Sequence, residues 1–245
     1  MQSLQTGSAE VSGAAPSIYT DGTYLQSTGS WHQEDSPWKA AHIKSMLERN
    51  GLKPETICEV GCGAGAILTG LSQALPVEAK LTGYEISPQA YALCQGKAND
   101  RLSFRLGDLL EEEGPPYDVV MAIDVFEHVE DYFGFLKRLK PKSRYKIFHI
   151  PLDLSVQSVL RMSPILKLRR EVGHLHYFTK ETALKTLEHA GYDVVDHFFT
   201  ATAVELPNRG WKANLMKLPR RLLFALSPDW AARLFGGYSL MLLAK

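Results

Sequence analysis

The chain has 245 residues, 45% of them hydrophobic, and its 27 basic and 27 acidic side chains cancel. That balance offers no electrostatic footprint for a nucleic-acid partner, and the apolar content is ordinary for a globular protein of one domain with appendages. No apolar run is long enough to span a bilayer, the N-terminus lacks the basic start and apolar core of a signal peptide, and three cysteines, Cys58, Cys62 and Cys94, cannot all pair; a cytoplasmic protein is expected.

Residues 1–17 are rich in Ser, Gly, Ala and Gln and are expected to be a disordered tail; 18–245 is expected to be a single domain. Residues 18–36 set Tyr19, Tyr24, Trp31 and His32 among polar residues. They read equally as an aromatic strap or as a lid that keeps water from a site. Ser36-Pro37 predicts a helix start, with Ser36 as N-cap. Trp38, Ile43, Met46 and Leu47 give that helix an apolar stripe, and Asn50-Gly51 ends it.

The stretch from Thr56 to Leu68 organises the rest. A short β-branched and apolar run leads to glycines at 61, 63 and 65, and a helical pattern of Ile67, Leu68, Leu71 and Leu75 follows. Strand, tight turn, helix is the opening of a nucleotide-binding unit. Gly61-x-Gly63-x-x-Ala66 also fits the dinucleotide fingerprint, but Glu59 sets a carboxylate at the strand end. That charge disfavours a pyrophosphate and favours a cationic amino-acid moiety.

Lys80–Ile86 predicts the second strand, and Glu85 follows Gly65 by 20 residues, where an acidic side chain takes ribose hydroxyls. Ser87-Pro88 opens a helix. Leu102–Leu106 predicts a short strand ending in Gly107-Asp108-Leu109, where Asp108 by itself is a turn former. Tyr117–Ile123 is nearly continuous in apolar residues, as buried parallel strands are, and runs into Asp124-Val125-Phe126-Glu127-His128-Val129. A helix around Tyr132–Leu136, a strand at Tyr145–Ile150 stopped by Pro151, and an amphipathic segment at 152–173 follow. That segment reads as a surface helix or as a cap over an acceptor pocket. Thr179 is a fair N-cap for the helix Glu181–Ala190, although Thr182 does not make a full capping box. Tyr192–Ala201 reads as a strand. A long insertion, 203–236, carries Lys217, Arg220 and Arg221 beside Leu222, Leu223 and Phe224. It is expected to pack on the domain in preference to lying on a membrane surface. Tyr238–Ala244 closes the chain as an apolar strand.

Glu59, Gly61, Gly63 and Gly65 match position for position the acidic-x-Gly-x-Gly-x-Gly motif of the class I S-adenosylmethionine-dependent methyltransferases. With Glu85, Asp108 and the Asp124–Val129 stretch in order, the chain resembles that family over about residues 56–131. Glu127-His128-Val129 resembles the subgroup of ubiquinone-pathway O-methyltransferases and related small-molecule enzymes. The resemblance implies an α/β, Rossmann-like seven-stranded sheet, mostly parallel, with helices on both faces and a closing antiparallel strand. It implies S-adenosylmethionine as cofactor, held by Glu59, Gly61, Cys62, Gly63, Gly65, Glu85, Ile86, Asp108, Leu109, Asp124 and Val125. Asp108 and the next backbone N–H would meet adenine. The product would be S-adenosylhomocysteine.

Such a reaction needs alignment and, where the nucleophile carries a proton, a base. His128 and His174 are the candidate catalytic residues, with His176 behind them. No metal is expected; the set a divalent ion would use is Asp124, Glu127, His128 and His174, as in relatives with Glu-x-x-Glu-His and a later His. The expected reaction is methylation of a small molecule, oxygen being favoured. The rivals are an NAD-type oxidoreductase and a non-catalytic S-adenosylmethionine-binding subunit.

Overall fold

A computed structural model describes residues 33–207 and 214–245. The expected tail (1–17), and Tyr19, Tyr24, Trp31 and His32 of the expected lid, lie outside the described residues.

Seven strands form one sheet: β1 (Thr56–Val60), β2 (Lys80–Glu85), β3 (Leu102–Leu106), β4 (Tyr117–Ile123), β5 (Ser143–Pro151), β6 (Val194–Thr200) and β7 (Ser239–Ala244). Their order is β3-β2-β1-β4-β5-β7-β6. Pairing is parallel from β3 through β5, and β7 runs antiparallel to both β5 and β6. This is the seven-stranded, mostly parallel sheet that the resemblance implies, closing strand included.

Both faces are covered, which explains why β4 and β7 lack polar alternation. Val119, Met121 and Ile123 face one core together with Met241 and Leu243, under Ile43, Met46 and Leu47 of α1 (Ser36–Arg49) and Leu68 and Leu71 of α2 (Ala66–Ala74). Val120 and Ala122 face the other core with Leu240 and Leu242. Phe135 and Leu139 of α4 (Tyr132–Leu139), Leu187 of α7 (Lys180–His189) and Ala231 of α10 (Pro228–Phe235) cover that side. The short α3 (Pro88–Cys94) follows β2 and starts at Ser87, whose hydroxyl accepts from the Ala90 amide.

Several local expectations change. Asp35, not Ser36, is the N-cap of α1, and a single 3-10 turn at Gln33–Asp35 precedes it. Thr179 and Thr182 do form a reciprocal capping box, because a threonine hydroxyl at the third position reaches back as a glutamate would. Residues 152–173 are not one helix. They form α5 (Val156–Arg161) and α6 (Ser163–Glu171), broken at Met162, whose φ is +54°. The described part of the long insertion holds α8 (Thr202–Glu205), α9 (Lys217–Leu226) and α10. No helix of the described residues is long and apolar enough to cross a membrane.

Candidate active site

Strand order reverses between β1 and β4, so their crossovers leave on opposite sides and a crevice opens at their carboxyl ends. A cavity of about 440 Å³ occupies it, a size suited to a small ligand.

One wall is the turn after β1. Gly61 and Gly63 have φ of +66° and +55°, a conformation in which a side chain is strained. The Gly63 amide donates to Glu85 Oε2 at 2.7 Å, and the Ser87 amide donates to Glu85 Oε1 at 2.8 Å. Burial pushes the Glu85 carboxyl up, and those two amides work against the rise. Beneath the turn, Glu59 is 1% exposed and its Oε2 accepts no hydrogen bond among the described residues. Burial drives its pKa well above the carboxylate range, with the Lys39 ammonium opposing.

Opposite lies a network of charged side chains. Asp124 directly follows β4 with φ of +55°, a left-handed backbone that few residues other than glycine adopt. Its Oδ2 pairs with Lys39 Nζ at 2.6 Å and its Oδ1 with His149 Nδ1 at 2.6 Å. His149 Nε2 meets the buried Thr200 hydroxyl at 2.8 Å. Burial raises the Asp124 pKa, but the His149 and Lys39 charges outweigh it and hold the carboxyl below its ordinary value. The same pairing lifts Lys39 above its usual pKa in spite of its own burial.

A third group stands at the far side. His174 Nδ1 is 2.7 Å from Asp153 Oδ2, so its Nε2 is the nitrogen left for proton chemistry. The His174 and His128 rings meet edge to face with centroids 4.8 Å apart. The Leu175 and His176 amides both donate to the Glu127 carbonyl, at 2.8 and 3.1 Å, and His176 Nε2 reaches the Val129 carbonyl at 2.9 Å. The segment after α6 is thereby tied to the end of β4. Glu127 is 1% exposed, and neither carboxylate oxygen has a hydrogen-bond partner among the described residues. Burial, then the charge of Asp124, raise its pKa well above the ordinary value.

Of the expected site residues, Glu59, Gly61, Cys62, Gly63, Glu85, Ile86, Asp124, Val125, His128 and His174 all border the cavity. Gly65, Asp108 and Leu109 do not. A Cβ on Gly65 would stand 2.5 Å from Phe104 Cε1, so this glycine serves helix–strand packing. The Asp108 carboxylate accepts from the Leu110 amide at 2.9 Å, and Leu109 is 3% exposed in the core. His176 borders no part of the cavity, since its ring is held by the Val129 carbonyl. Of the expected metal set, Glu127, His128 and His174 come together, each offering a ligand atom within 4.8 Å of the others. Asp124 does not join them, because both its oxygens are engaged by Lys39 and His149.

Lys39, His149 and Asp153 also border the cavity and were not singled out from the sequence. His149 left a signal: it is the one polar residue in Ile147–Ile150. Lys39 left none beyond its place one turn into α1.

Residues 30–197 match a family model described as a methyltransferase domain. A stretch of 94 residues is 30% identical to the ajmaline N-methyltransferase of Rauvolfia serpentina, covering 36% of this chain and 32% of that one. Over 100 residues the chain is 33% identical to the ubiquinone biosynthesis O-methyltransferase of Azorhizobium caulinodans, covering 39% and 37%. It thus spans about a third of the length of these curated relatives. Its fold is that of the magnesium protoporphyrin IX methyltransferase of Synechocystis PCC 6803, solved with bound SAH, with a TM-score of 0.57 at 19% identity over 89% of this chain and 85% of that one. The matched residues take in the glycine turn, Glu85, Asp124 and the cavity histidines His128, His149 and His174, and on that extent the chain belongs to the methyltransferase-domain family.

Proposed function

We propose that this chain transfers a methyl group from S-adenosylmethionine to a small-molecule acceptor, with oxygen the favoured nucleophile. The observation that carries the reading is Glu59: a buried carboxylate with an unpartnered oxygen, bordering the cavity behind a glycine turn. An isolated buried carboxylate is costly, and a ligand ammonium supplies the missing partner. Glu85, already fixed by two amides, retains lone pairs for ribose hydroxyls. Gly61 and Gly63 let the backbone approach the ligand.

When bound, S-adenosylmethionine supplies the sulfonium methyl, whose carbon–sulfur bond breaks with the electron pair staying on sulfur. The protein's part is to hold the nucleophile in line and to take its proton. His174 Nε2 takes that proton, and Asp153 fixes the tautomer and steadies the imidazolium. His128, packed on the His174 ring, borders the acceptor. A dyad of this kind suits a hydroxyl acceptor, which must lose a proton, better than a neutral amine, which can attack first.

A second reading has one observation in its favour. The two oxygens of Glu127, neither of which accepts a hydrogen bond among the described residues, are grouped with His128 and His174 in an O/N set fit for a divalent ion.

The test is calorimetric titration with S-adenosylmethionine, S-adenosylhomocysteine and NAD⁺, each with and without EDTA. Binding of the first two but not NAD⁺ is expected. Binding of NAD⁺ alone would return the glycine turn to its dinucleotide reading. Methyl transfer that is abolished by EDTA and restored by added Mg²⁺ or Zn²⁺ would establish the metal.

A further inference from the structure

Eleven of the sixteen large hydrophobic side chains that stand exposed among the described residues lie on two segments, 156–171 and 215–235. Both issue from the carboxyl edge of the sheet, the edge that carries the cavity. The first follows β5, and the second connects the end of β6 to the start of the antiparallel β7. They also touch each other: Arg220 Nη2 donates to Gln157 Oε1 at 3.4 Å, and α10 packs on α5.

The exposed residues are patterned. On α5, Val156, Val159 and Leu160 share one helix face. On α9, Leu218, Leu222 and Leu226 recur every fourth position, and no residue of that helix is buried. The charge is patterned too. Residues 156–171 and 217–235 each carry four basic side chains against one acidic, in a chain whose total charge is zero. Arg161, Arg169, Arg170 and Arg221 are exposed and have no ion pair among the described residues. α6 links this face to the site, since its Leu168 borders the cavity.

We propose that the face formed by α5, α6 and α9 docks on an anionic lipid surface, holding the cavity mouth at the membrane. Apolar stripes flanked by unpaired arginines match acyl chains beneath acidic headgroups. A two-fold dimer through the same face would set like charge against like, and its leucines alone would have to overcome that.

The test is sedimentation of the full chain with vesicles of phosphatidylcholine containing about 30 mol% phosphatidylglycerol, beside vesicles of phosphatidylcholine alone. Binding to the anionic vesicles, weakened by salt, is expected. The double variant Leu218→Gln/Leu222→Gln and the triple variant Arg161→Gln/Arg169→Gln/Arg170→Gln should each lower partitioning by roughly tenfold or more. Both variants should keep the parent's unfolding midpoint, so loss of the fold is separable from loss of the surface. No partitioning, or variants that partition like the parent, would overturn the proposal. So would a dimer that the leucine variant dissociates while vesicles bind nothing, which would assign the face to a second copy. None of these readouts depends on methyl transfer.

Discussion

The two walls of the cavity are held by different kinds of bond. The glycine-turn wall closes through backbone amides, Gly63 and Ser87, onto one carboxylate. The opposite wall closes side chain to side chain, through Lys39–Asp124–His149–Thr200 and Asp153–His174. A backbone cradle needs only glycines and one acid at a fixed spacing. A side-chain network needs several particular residues from elements far apart in sequence, and removing one strands the others. Substitutions should therefore act locally on the first wall and propagate through the second.

His174→Ala gives the largest expected effect. Turnover should fall by roughly 10²–10⁴-fold, the usual worth of a general base, with S-adenosylhomocysteine affinity within about twofold. Asp153→Asn should cost less and should shift the pH profile, since the amide still orients the ring but no longer steadies its charge. Equal losses of turnover and affinity in His174→Ala would make this histidine part of the scaffold and erase the contrast between the walls.

Asp124→Asn comes next, read by urea unfolding. Removing the charge leaves Lys39 inside without its counterion, an expected loss of about 3 kcal/mol. The sign with pH follows from the depressed carboxyl. Its contribution is present above the unfolded value of 3.8 and is lost as pH falls through the lower folded value. Parent and variant should converge in acid. Undiminished difference at low pH would mean that geometry, not charge, is what the asparagine disturbs.

The same contrast decides what could be read from the sequence. The sheet was legible because apolar runs, glycine turns and Ser-Pro starts are local signals, and β4 and β7 are buried on both faces. Glu59 and Glu85 were legible because their spacing from the glycines fixes their place on adjacent strands. Lys39, His149 and Asp153 were not, because their meaning lies in partners 85, 25 and 21 residues away. Gly65 and Asp108 each have their expected position in the chain but do not border the cavity: a side chain at 65 would meet Phe104, and one oxygen of Asp108 accepts from the Leu110 amide. The break at Met162 has no signal of its own, as a positive φ at methionine follows from how α5 and α6 are docked.

On the first wall, Glu85→Ala should weaken S-adenosylmethionine binding by roughly 1–3 kcal/mol, the cost of stranding polar groups. Part of this will appear as lost stability, because the Gly63 and Ser87 amides lose their acceptor as well. Unchanged affinity would remove Glu85 from the ribose contact.

Glu59→Gln gives the smallest and most telling effect, since its two readouts should move in opposite directions. The unliganded chain should gain about 1 kcal/mol at pH 8, because a buried carboxylate without a partner is replaced by a neutral isostere. Burial raises the folded pKa above the ordinary 4.5, so the native state holds its proton over a window where the unfolded chain has released it. Stability of the parent therefore falls as pH rises above 4.5, the variant lacks that slope, and the gain should vanish below it. Affinity for S-adenosylmethionine should meanwhile drop by roughly tenfold, the loss of one charged hydrogen bond. A variant less stable than its parent at pH 8 would show that the carboxylate has a partner within the fold, and the ammonium contact would lose its support.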